Sequence, residues 1–279
     1  MTFFDGHLRA GSLRSADLAD LAFFGVVGAL VAAGDEPSAS APAISRAWTA
    51  VVGVEVRRLR RAGLAGYAAL GIHPRRIPRR GLEALLAELP DHLGRRGVVA
   101  LGAIGLEAGG GAEEAVFVRQ LELARELRLP VIVTTPWRDK ERVTRRTIAV
   151  LRESQLEPRR VRVDQASART VRMIRACGYS AGLSLSSSGG RGDPLDESVR
   201  LVRSMGPEGI VLCSATGEGP GDLLAIPRAA ARMAKAGLSA AVVTRVCRDN
   251  ALALLGVDPG ALSGSDRGAS GRSGRPSSR

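Results

Sequence analysis

The stretch Val98–Glu107, VVALGAIGLE, constrains this chain more than any other. An unbroken apolar run empties into a glycine turn and ends on one acid. That is the pattern of a parallel strand buried on both faces, delivering a loop at its C-terminal end. Six further segments share its shape: Phe3–His7, Tyr67–His73, Val131–Pro136, Val161–Gln165, Gly182–Ser187 and Ile210–Ser214. Between them lie segments with helical spacing, such as the one-sided stripe Leu82, Leu85, Leu86 and Leu89. Ser15 and Asp193-Pro194 are helix-start signals, and Gly63 and Gly178 are helix stops.

In order, the pattern predicts strands at 2–5, 26–31, 67–72, 98–104, 131–133, 161–163, 181–185 and 210–212. It predicts helices at 15–23, 44–62, around Leu82–Leu89, and at 113–127, 139–152, 167–177, 193–205, 223–236 and 239–255. Eight strands alternating with helices predict an α/β fold, a single-domain (β/α)8 TIM-type barrel over residues 1–262. An open doubly wound sheet is the alternative, but no Gly-x-Gly-x-x-Gly turn supports it. Residues 263–279 are Ser, Gly and Arg with almost nothing apolar, and are predicted to be a disordered tail.

Charge and cysteine usage exclude several classes. The net charge is +12, but aromatics are only 3% and do not interleave with the arginines as a base-stacking platform requires. The basic balance therefore argues for solvated helix faces and against nucleic acid. Cys177, Cys213 and Cys247 have no paired spacing, so neither a disulfide framework nor a zinc motif is implied, and a reducing cytoplasm fits. Leu21–Ala33, the longest apolar run, is shorter than the roughly 20 residues of a membrane span.

In a barrel of this type the chemistry collects at the C-terminal strand ends. Here those ends carry Asp5, His7 and Arg9, then His73, Ala103, Glu107, Thr134, Gln165 and the Ser214–Glu218 turn. A barrel hydrolase that activates water with two divalent ions needs His and carboxylate ligands on several strands. Only His7 and the acids Asp5, Glu107 and Glu218 are plausible ligands among these ends.

The segments, in this order, resemble the TatD-like metal-dependent hydrolases of the amidohydrolase superfamily, over about residues 2 to 257. FFDGHLRAGSLRSADL is similar to that family's Asp-x-His-x-His opening, ALGIHPRRIP to its Gly-x-His-Pro strand, and VALGAIGLE to Gly-Glu-Ile-Gly-Leu. VIVTTPWRDK resembles a strand ending His-Thr-Pro, VRVDQAS one ending Asp-His-Ala, and IVLCSATGEGPGDLLAIPRAA the last strand with its acidic ligand. RVCRDNALALLG resembles the closing helix. The subgroup it resembles is the one encoded with ebo-type metabolite operons, which implies an operon-encoded partner.

The resemblance implies that most metal ligands have been substituted. Arg9 stands for the second His, Ala103 for the bridging Glu, Thr134 and Gln165 for the histidines of strands five and six, and Ala215 for the terminal Asp. Only His7 is kept. It reads as a buried remnant, the alternative being a residual ligand or general base, and Glu107 and Asp164 stand where the family has acids behind the ligands. Those two acids are expected to hold Arg9 in an ion pair. Arg9, His73, Arg75 and Arg138 map near the mouth and are candidates for binding a small anion. The leading expectation is a non-catalytic or ligand-binding barrel with no cofactor. The alternative is an active hydrolase of phosphoester or amide bonds using zinc, manganese or magnesium in a rearranged site. Because some family members act as nucleases, nucleic acid is a third, weaker reading.

Overall fold

A computed structural model of the chain describes residues 1–33, 39–186, 192–217 and 221–262. The expected tail at 263–279 and the serine-glycine stretch Ser187–Gly190 lie outside them, as does Glu218. Eight parallel strands pair in chain order: β1 (Phe3–Leu8), β2 (Val26–Ala32), β3 (Ala65–Leu70), β4 (Val98–Gly105), β5 (Val131–Thr134), β6 (Val161–Val163), β7 (Ser180–Ser184) and β8 (Ile210–Cys213). The α-helices are α1 (Ser15–Phe23), α2 (Ala41–Ala50), α3 (Val56–Arg61), α4 (Leu82–Leu93), α5 (Gly111–Glu126), α6 (Lys140–Glu153), α7 (Val171–Ala176), α8 (Pro194–Met205), α9 (Ala225–Lys235), α10 (Ala240–Thr244) and α11 (Asn250–Leu255). The expected (β/α)8 barrel is therefore the fold observed.

Two apolar layers follow from strand alternation. Residues such as Val31, Leu101, Val133, Val163 and Leu212 face the surrounding helices. Their neighbours Phe4, Leu30, Ala69, Ala100, Ile132 and Val211 form a second cluster with α11. That cluster fills the lower part of the ring and leaves polar residues at the upper end.

Several elements differ from the sequence pattern: β3 runs over Ala65–Leu70 in place of 67–72, the helix expected at 239–255 is interrupted by a π segment at Arg245–Asp249, and three further differences have an identifiable cause. The first strand runs on to Leu8, past the expected loop at His7, because its end joins β8. Leu8 bridges Thr216, the Arg9 N–H donates to the Thr216 carbonyl at 2.8 Å, and the Ala215 N–H donates to the His7 carbonyl at 3.0 Å. The helix expected at 167–177 begins only at Val171. The Thr170 hydroxyl accepts the Ser167 N–H at 2.9 Å and holds a turn in place of the first helical turn. The long helix expected at 44–62 is interrupted by a π segment at Val51–Glu55. That wider turn carries the buried Glu55 carboxylate to the Gly11 N–H at 2.8 Å, tying the helix to the loop after β1.

The β1–β8 seam depends on a glycine. A Cβ at Gly6 would lie 2.8 Å from the Leu212 carbonyl and 2.9 Å from Cys213 Sγ. Gly6→Ala should destabilise the fold by about 1–3 kcal/mol, read as a lower denaturation midpoint at unchanged m-value. An unchanged midpoint would show that the seam tolerates a side chain.

Candidate functional site

The strand ends enclose a cavity of about 230 Å³. His7, His73, Arg75, Ala103, Glu107, Thr134, Asp164, Gln165 and Ala215 all line it, so nearly every position selected from sequence converges here. Arg9 and Arg138 are not among the lining side chains. Cys213, expected in the core, is buried but also lines the cavity. Trp137 adds an aromatic wall that the sequence did not single out.

At the rim, Arg75 Nη2 pairs with Glu107 Oε1 at 2.9 Å. His73 Nδ1 accepts the Arg75 N–H at 3.2 Å, so His73-Pro74 shapes the loop that carries this guanidinium. The Glu107, Ala108 and Gly109 N–H groups each donate to Glu113 Oε2 at 3.0 Å, which fixes the Glu107 backbone to the first turn of α5. Thr134 Oγ1 donates to Gln165 Oε1 at 3.3 Å. Gln165 and Ala215 take left-handed backbone angles, φ 57° and 53°, which turn the ends of β6 and β8 across the opening.

Beneath the rim lies a group that sequence reading missed. Arg162, in the middle of β6, has no solvent exposure. Its Nε donates to Asp164 Oδ1 at 2.6 Å and its Nη2 to Asp164 Oδ2 at 2.7 Å, a two-pronged pair. Nη2 also donates to the Gly6 carbonyl at 3.0 Å. Since β6 and β1 are not neighbours in the sheet, this side chain crosses the interior of the ring. Burial disfavours its charge, but Asp164 more than compensates and the Arg162 pKa rises. A Cβ at Gly182 would meet Asp164 Oδ1 at 1.8 Å, so β7 needs glycine there to admit the carboxylate. His7 Nδ1 stands 4.0 Å from Asp164 Oδ2.

Among the described residues Glu107, one of the acids expected to face Arg9, pairs with Arg75, and Asp164, the other, pairs with Arg162. Asp5, fully buried beside the network, accepts the His7 and Ser214 N–H groups at 3.0 Å each. Burial outweighs those bonds and pushes its carboxyl above the usual range. Among the described residues no three His, Cys, Asp or Glu side chains converge as a metal-binding group.

Lys140 opens α6 at the side of the mouth. Its Nζ donates to the Gln165 carbonyl at 2.6 Å and to Thr135 Oγ1 at 3.5 Å, and lies 4.9 Å from the centre of the Trp137 ring. Burial lowers its pKa to about 8, with Glu107 acting weakly in the other direction.

The family profile described as TatD related DNase matches residues 49–202, more than half of the chain. The chain belongs to this family. It is 27% identical over 235 residues to an uncharacterized metal-dependent hydrolase of Methanocaldococcus jannaschii, covering 84% of this chain and 92% of that protein. A TatD-like protein from Archaeoglobus fulgidus superposes with a TM-score of 0.77 at 25% identity, covering 91% of this chain and all of that one. The phosphotriesterase homology protein of Escherichia coli, at 15% identity and a TM-score of 0.67, shares the fold over 89% of this chain and 97% of its own. No described helix of this TatD-family barrel is long and apolar enough to cross a membrane.

Two measurements follow. Arg162→Met strips a buried carboxylate of its partner and should cost about 3–5 kcal/mol of unfolding free energy. The double variant Arg162→Met/Asp164→Leu should recover most of it, and a single-variant loss below about 1 kcal/mol would mean that the pair is not the floor's support. Lys140 releases its proton near pH 8 when folded and near 10.5 when unfolded, so its burial penalises the fold below pH 8 and less so as pH rises. Wild type should therefore gain stability relative to Lys140→Met between pH 8 and 10.5, and a flat difference would contradict the burial of the ammonium.

Proposed function

We propose that this TatD-family barrel uses its mouth to bind a small anionic metabolite, and that it does not run hydrolysis through a pair of divalent ions. The observation that carries this reading is the Arg162–Asp164 pair. The Asp164 carboxylate, 4.0 Å from His7 Nδ1, is already paired through both oxygens with a guanidinium that cannot lose its proton. A dication between His7 and Asp164 would face that fixed charge. At an effective dielectric near 20 each unit of like charge at about 4–6 Å costs roughly 3–4 kcal/mol.

The chemistry of the donor set points the same way. By the resemblance above, Ala103, Thr134, Gln165 and Ala215 occupy ligand positions, and they line the cavity beside His7. Alanine has no donor atom, and the oxygens of Thr and Gln bind zinc-like ions poorly. These residues do not fit a two-metal centre. With Glu107 and Asp164 each matched by an arginine, neither carboxylate presents an uncompensated negative charge to an anion at the opening. The half-exposed Arg75 guanidinium at the rim, paired with Glu107 through Nη2, can meet a carboxylate or phosphate through a further N–H.

The test is elemental analysis of protein purified without chelator, followed by calorimetric titration with inorganic phosphate. Zinc, manganese and magnesium should be far below stoichiometric, phosphate should bind, and Arg75→Ala should weaken binding at least about tenfold. Stoichiometric zinc or manganese together with metal-dependent turnover of bis-p-nitrophenyl phosphate would establish the rearranged hydrolase instead. Phosphate affinity unchanged by Arg75→Ala would remove the anion site.

A further inference from the structure

Only two of the chain's 40 basic residues are lysines, Lys140 and Lys235. Every other basic residue is arginine. Lys235 is exposed at the end of α9. Lys140 is the lysine that lines a cavity. Stacking on Trp137 and donation to the Gln165 carbonyl are tasks a guanidinium performs at least as well. What a primary amine alone offers is a nitrogen that can lose its proton near neutral pH and then attack.

The setting favours that use. Among the described residues Lys140 has no carboxylate within ion-pair distance, and its nitrogen is held at 2.6 Å by a backbone carbonyl. Burial brings its pKa to about 8. It faces a second cavity of about 220 Å³ that adjoins the mouth through Gln165 and Ser184. Trp137, Leu183, Pro194 and Leu201 give that cavity an apolar side, and Gln165, Ser167, Ser184, Glu197 and Ser198 give it a polar one. Its size suits a molecule well below the drug-sized ligands that occupy larger pockets.

We infer that Lys140 captures a small, partly apolar aldehyde or ketone in this side cavity as a reversible imine. The neutral amine attacks the carbonyl carbon and a nitrogen–carbon bond forms. The carbonyl oxygen takes up protons and leaves as water as the carbon–nitrogen double bond closes. Overall, one ammonium and one carbonyl give one iminium and one water, so no oxidant, reductant or further reactant is needed. The inference stands apart from the anion proposed for the mouth, because it uses neither Arg75 nor His73.

Reductive trapping tests it. Full-length protein is incubated at pH 7.5 with butanal and sodium cyanoborohydride, and alkylation is followed residue by residue by tandem mass spectrometry. Lys140 should be alkylated at least about tenfold faster than exposed Lys235, with a rate that saturates in butanal. In Lys140→Arg, checked for folding by circular dichroism, the fast phase should vanish. Alkylation of Lys140 at or below the rate of Lys235, which a sequestered structural lysine would give, overturns the inference. So does a fast phase that survives in Lys140→Arg. Neither result bears on phosphate binding or its loss in Arg75→Ala.

Discussion

A guanidinium cut off from water lies across the interior of this barrel, and the upper half of the ring is arranged to keep it there. Transferring such a charge out of water costs several kcal/mol even after relaxation. Arg162 offsets this with two bonds to Asp164 and one to the Gly6 carbonyl. Two strands carry glycine around it: at Gly182 of β7 a Cβ would meet the carboxylate, and at Gly6 of β1, whose carbonyl accepts from Arg162, a Cβ would meet β8. His7 Nδ1 stands 4.0 Å from Asp164 Oδ2.

That pair also sets the electrostatics of the mouth. A metal centre presents carboxylates and imidazoles whose lone pairs converge on an exchangeable ion. Here the Asp164 carboxylate turns both oxygens to an arginine belonging to the chain itself. The rim repeats the arrangement with Arg75 and Glu107. Family membership tells of shared ancestry and shared fold, and the chemistry of a site is decided by the side chains that line it. In this barrel the cavity is lined by His7, His73, Glu107 and Asp164 together with the donors Arg75, Thr134, Trp137 and Gln165.

Most of the architecture was legible in the sequence because parallel strands buried on both faces leave an unmistakable apolar run. β6 falls at Val161–Val163 as the pattern predicts, and β4 extends only one residue further. Where reading failed, long-range or side-chain bonds had overridden local pattern. β1 is longer because Leu8 and Arg9 pair with Thr216 across the seam with β8, a partner too distant in sequence for any local window to contain. α7 begins at Val171, after a turn in which the Thr170 hydroxyl accepts the Ser167 N–H and the Thr170 N–H donates to the Ser167 carbonyl. The convergence of His7, Ala103, Thr134 and Gln165 was legible as a set of strand ends, whereas the ion partners of Glu107 and Asp164 were not. A signal for Arg162 did exist. A charge flanked by valines in a buried strand, two residues before an acid on the same face, must find that acid or another partner inside the ring.

Arginine and lysine divide the work here by depth and by permanence. At the floor the charge must persist through every change of pH, or Asp164 would be left buried and alone, and only a guanidinium guarantees that. At the side of the mouth the inferred imine chemistry asks for the opposite property. Among the described residues Lys140 has no carboxylate within ion-pair distance, and its burial costs stability while it is charged. In a chain with arginine at nearly every basic position, the floor holds a cation that does not titrate, and the inference assigns the departing proton to the lysine beside the side cavity.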